Sequence, residues 1–76
     1  MTEIKDRIAQ EISKYGFGIS LKDLLNKVYW QLRTEGYEIY LLNDRYLMTG
    51  NSRNHTDRSF QLLKTRSKGR WTVKEF

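Results

Sequence analysis

The densest chemistry in this 76-residue chain is a run of cations, Arg66-Ser67-Lys68-Gly69-Arg70, with Lys74 four residues further on. Guanidinium and ammonium groups set this close together attract polyanions, and along a strand they can follow a phosphate backbone. Aromatic residues are interleaved with them: Phe60, Trp71 and Phe76, with Tyr40 and Tyr46 further upstream. An exposed ring can stack on an unpaired base, so nucleic acid, DNA or RNA, leads the expected partners. The candidate phosphate-binding residues are Arg53, Arg58, Lys64, Arg66, Lys68, Arg70 and Lys74. The same residue types also suit an edge strand that resists pairing with other chains, or a surface that meets an acidic protein.

Charge along the chain sharpens this reading. The formal net charge is +5, and residues 1–42 balance six Lys/Arg against six Asp/Glu. Residues 43–76 hold eight Lys/Arg against only Asp44, Asp57 and Glu75, so the whole excess lies in the second part. A clustered positive field recruits anionic partners.

A second candidate is the wholly polar stretch 50–58, Gly-Asn-Ser-Arg-Asn-His-Thr-Asp-Arg. With no apolar side chain it reads as a solvated loop, a place where function often sits. Arg53, His55 and Arg58 could hold a phosphate there. His55 is the only imidazole in the chain, and no partner base or nucleophile can be assigned to it, so no catalytic residue is expected. One His, no Cys and scattered carboxylates give no zinc or calcium spacing, and no cofactor is expected. Gly16-Phe17-Gly18 lacks the preceding strand of a nucleotide-binding fingerprint.

A third candidate is a protein interface. Val28, Tyr29, Trp30 and Leu32 crowd one helical stretch, and they cannot all face one small core. Tyr29, Trp30, Tyr37 and Tyr40 are therefore the candidate interface residues, since Tyr and Trp are favoured anchors. Such a face suits an inhibitor, an adaptor or a homodimer.

The elements that carry these residues follow from hydrophobic period. Ile4, Ile8 and Ile12 recur every four residues and predict a helix over 2–15, capped by Thr2 and stopped by a left-handed Gly16. Leu21, Leu24, Leu25, Val28 and Leu32 predict a second helix, opened by Ser20 and closed at Gly36. From Tyr37 the period becomes two. Residues 37–42 and 45–49 form a hairpin about Asn43-Asp44, and 59–65 and 70–76 form another about 66–69. Apolar residues on both faces of the inner strands predict that each face is at least partly covered.

The expected fold is α+β in one small domain: a helical pair over 1–36 packed on one face of a basic antiparallel sheet of about four strands over 37–76. Neither a signal peptide nor a membrane span is apparent, which points to a cytoplasmic protein with no membrane partner. The cationic hairpin tip resembles the wing of a winged helix in layout, although no third helix is expected to enter a groove. Small RNA-cleaving toxins of the RelE type are also similar in layout, and that similarity implies an endoribonuclease. No strand is expected before the first helix here and no motif matches residue by residue, so no role is carried over. The expected function is non-catalytic nucleic-acid binding or regulation through the basic C-terminal hairpin, with a protein-interaction module as the alternative.

Overall fold

Helix α1 (Ile4–Ile12) forms around its isoleucine stripe, with Ile8 and Ile12 fully buried and Ile4 at the margin of the core. The computed structural model describes residues 3–49, 58–65 and 69–76. Glu3, rather than Thr2, holds the N-cap position, and its side chain makes no capping hydrogen bond. The helix also ends earlier than the sequence suggests. Ser13 closes it in a right-handed conformation, and Lys14 and Tyr15 continue in tight turns on Glu11 and Ile12 carbonyls. Gly16 is not left-handed. Its carbonyl is instead taken by a distant side chain, the indole of Trp71.

Helix α2 (Leu21–Thr34) has the ends its sequence predicts. Ser20 Oγ accepts from the Asp23 amide at 3.2 Å. At the other end Gly36 takes φ +98°, its amide donates to Arg33 O, and the Tyr37 amide donates to Leu32 O. These two bonds satisfy carbonyls that the helix leaves unpaired, in a Schellman arrangement. They also commit the backbone at Tyr37 to capping, so the first strand starts three residues later than the alternation suggests.

Four strands follow: β1 (Tyr40–Leu42), β2 (Tyr46–Thr49), β3 (Arg58–Thr65) and β4 (Arg70–Glu75). They pair antiparallel in the order β1-β2-β3-β4, and with the two preceding helices they give the expected α+β fold. Asn43 and Asp44 both take φ +54°, the conformation that suits their short polar side chains at a hairpin turn. Among the described residues no helix is long and apolar enough to cross a membrane.

Both helices pack on the same face of the sheet. The core joins Ile8 and Ile12 of α1 and Leu24, Leu25, Val28 and Leu32 of α2 to Ile39, Leu47, Phe60, Leu62 and Trp71. Each such aliphatic side chain contributes about 1.5–3 kcal/mol on leaving water. The opposite face differs from expectation, because no described element covers it. Tyr40, Leu42, Leu63 and Phe76 stay exposed there. The apolar stripes of α1 and α2 are both spent on the inner face.

One ionic network ties the helices together. Arg7 bonds both oxygens of Glu35 just past α2, and its Nη2 also donates to Glu11 at 2.9 Å. Glu11 is almost completely buried and also receives Lys14 Nζ at 3.2 Å. Hydrogen bonds from Arg7, then from Gln31, hold the Glu35 carboxyl at about 2, well below the usual carboxylate range.

Candidate nucleic-acid interface

Alternation on β4 sends Trp71, Val73 and Glu75 toward the helices and Arg70, Thr72 and Lys74 to the open face. The pairing register fixes this arrangement, because Trp71 sits opposite Lys64 while Arg70 sits opposite Thr65 and Lys74 opposite Gln61. At about 3.3 Å per residue Arg70 and Lys74 stand roughly 13 Å apart, too far to hold one phosphate together. Each would therefore meet its own phosphate. Neither has a carboxylate partner among the described residues.

The remaining cations named from the sequence divide. Lys64 lies on the helix side of the sheet, with Nζ 5.3 Å from the Trp71 ring centroid and 5.4 Å from that of Phe17. It is exposed, yet it faces away from Arg70 and Lys74. Arg58 is the first residue of β3 and also lies on the inner side, over Phe60 at 5.2 Å. Its guanidinium bonds Glu75 through two nitrogens, at 2.6 and 2.8 Å, and reaches Glu3 through the third. This pairing pushes the arginine pKa still higher and pulls that of Glu75 down. The Arg58 charge is thus already balanced by carboxylates and serves to tie β3, β4 and the start of α1 together. Arg53, His55, Arg66 and Lys68 lie outside the described residues.

What the sequence did not bring together is the apolar floor beside Lys74. Across the open face, Leu42, Tyr46, Gln61 and Lys74 line up in one row. Tyr40, Met48 and Ser59 form the next, which Phe76 extends, its backbone N–H donating a hydrogen bond to Ser59 O at 2.9 Å. The Tyr46 and Phe76 rings meet edge to face at 5.8 Å, and Lys74 Nζ lies 5.2 Å from the Phe76 centroid. Leu42, Met48 and Ser59 were no part of the site expected from sequence. The available signal was the parity of positions 40, 42, 46 and 48, which assigns them to one face once the turn is known.

The interface residues separate in the same way. Trp30 projects from the outer side of α2 with 63% of its surface exposed, and its ring meets Tyr29 edge to face at 5.2 Å. Tyr29 and Tyr37 are half-buried against the core. Tyr40 belongs to the open sheet face, the far side of the molecule from the helices.

The chain matches no protein family, no curated protein and no solved structure. Its chemistry therefore has to be taken from this geometry. Lys74 beside the exposed Phe76 ring, with Arg70 further along the same face, offers electrostatic attraction to phosphates and flat apolar surface to bases. Among the described residues no three His, Cys, Asp or Glu side chains come together as a metal site.

Proposed function

We propose that this protein binds nucleic acid without cleaving it, through the open face of its sheet and the cationic β3–β4 hairpin. The observation that supports this most is the placement of Arg70 and Lys74. Both project from an uncovered face, with no carboxylate partner among the described residues, and Lys74 stands beside the exposed ring of Phe76. Arg66, Lys68 and Arg53 add to the same positive half of the chain, which carries all of the +5 net charge. Arg58 takes a structural part in this reading, and Lys64 attracts phosphate from the other side of the hairpin.

Fluorescence anisotropy with labelled single-stranded DNA, duplex DNA and RNA over a series of salt concentrations tests it. Affinity should fall with salt at a log–log slope of about −0.7 per phosphate contacted for single strands and about −0.9 for duplex. Replacing Arg70 and Lys74 together with Ala should make the single-strand slope shallower by about 1.4. Absence of binding at low salt would remove the proposal.

The exposed Trp30 favours a second reading, a protein interface on α2. In that case Trp30→Ala abolishes self-association or partner capture while the fold and nucleic-acid affinity persist.

A further inference from the structure

The open face holds more than two cations. Leu42, Tyr46, Met48, Ser59 and Phe76 enclose a shallow slot of about 250 Å³ between the two rows of side chains. Its walls are mostly apolar, and it is bordered by the Tyr46 and Phe76 rings, set at 75° to each other. Ser59 brings an aliphatic hydroxyl to it, which donates to the Met48 sulfur at 3.1 Å. A thioether is a weak acceptor, so this hydroxyl is readily redirected to a better one. On one side the slot adjoins Lys74, whose ammonium already lies over the Phe76 ring.

We infer that this slot takes one unpaired base of a single strand, with Lys74 and then Arg70 holding the phosphates that follow it. The inference rests on the function proposed above and adds the strand form and the subsite. Three features select this occupant. A planar heteroaromatic ring fits a slot bordered by two rings and a methionine, and every base has the π-face that such a platform needs. Ser59 supplies one hydrogen bond to a base edge while accepting any of the four bases, because a hydroxyl both donates and accepts. Lys74 stands at the border of the slot with no carboxylate partner among the described residues, and Arg70 follows on the same face of β4, so the charge beside the slot suits a strand of phosphates. A base held in a duplex is stacked on both faces and cannot enter, so the slot selects single strands over double ones.

The test uses the full chain and three labelled probes: a single-stranded DNA oligomer, an oligomer of the same length whose sugars carry no bases, and the duplex. Wild-type protein should bind the base-bearing single strand most tightly. Phe76→Ala removes an exposed ring and leaves the core untouched; it should weaken that binding roughly 5- to 100-fold. It should leave the base-free oligomer nearly unaffected. Replacement of Arg70 and Lys74 should weaken both single-stranded probes alike. The Met48 methyl resonance gives a direct readout, since a stacked base should shift it whereas the base-free oligomer should not.

Equal affinity of the wild type for the base-bearing and base-free strands would overturn the slot while leaving the cationic face standing. The slot is likewise overturned if Phe76→Ala and Tyr46→Leu, both shown folded by circular dichroism, bind all probes as the wild type does. A concentration-dependent dimer that Phe76→Ala dissolves would also overturn it, by giving the face to a second copy. If no probe binds at low salt, both the slot and the proposed function fall.

Discussion

The indole N–H of Trp71 donates to the carbonyl oxygen of Gly16 at 3.1 Å, across 55 residues of sequence. It joins β4 to the connector between the helices, and Phe17 packs edge-on against the same ring at 5.8 Å. A helix end, a loop and a strand thus meet at one side chain.

Trp71→Phe keeps a ring in the core but removes the donor and leaves the Gly16 carbonyl without this partner. Gly16 is exposed, so its carbonyl regains water, and the expected cost of the bond is about 0.5–1.5 kcal/mol, read as a lower urea midpoint with an unchanged slope. A midpoint equal to that of the wild type would show that this bond contributes nothing.

The Arg7–Glu35 pair predicts a pH dependence. Glu35 titrates at about 2 in the folded protein against an ordinary value of 4.5, so on acidification the unfolded chain binds this proton first. The stabilisation it contributes is complete above about pH 4.5 and is lost as pH falls toward 2. Urea titrations of wild type and Glu35→Gln across that range should therefore converge at the acid end. A stability difference that stays constant with pH would contradict the pairing.

Arg58 is held by Glu75 and Glu3, which fastens β3, β4 and the start of α1 together. Arg58→Met should lower stability by no more than about 1 kcal/mol, because the pair is partly exposed. The salt slope of nucleic-acid binding should stay as in the wild type. A slope shallower by a full phosphate contact would return Arg58 to the binding surface.

Gly36 ends α2 at φ +98°, with nothing within 4 Å of where a Cβ would stand. A side chain there meets no neighbour, so the cost of Gly36→Ala is that of the backbone conformation, about 1–2 kcal/mol. Thermal unfolding should show the loss. If the variant is as stable as the wild type, the helix ends by another route.

The parts legible in sequence are those decided within a few residues. Ser20 caps α2 and Gly36 ends it, because both act on amides and carbonyls of the adjoining turn. Asn43 and Asp44 turn the first hairpin for an equally local reason, their tolerance of positive φ. Gly16 misleads because its role depends on Trp71, which no local pattern connects to it. Tyr37 continues the alternation of the strand in sequence, yet its amide is already engaged with Leu32.

The division at the candidate site has the same origin. Alternation within β4 alone places Arg70, Thr72 and Lys74 on one face and Trp71 and Val73 on the other. The burial of Trp71 then follows from its apolar neighbours. Whether Lys64 joins Arg70 or Trp71 depends on the register between β3 and β4, which pairs Lys64 with Trp71. Arg58 reads as one more loop cation until the fold brings Glu75 and Glu3 to it.

By itself, then, the sequence determined the order and type of the elements, the caps of α2, and the side-chain parity along each strand, because periodicity and turn chemistry are short-range. The tertiary structure decided which face the helices cover, which cations are neutralised, and that Tyr46, Met48, Ser59 and Phe76 share one slot. Those outcomes depend on strand register and helix docking, which join residues distant in sequence. They arise only when the two apolar stripes of α1 and α2 are buried together against one side of the sheet.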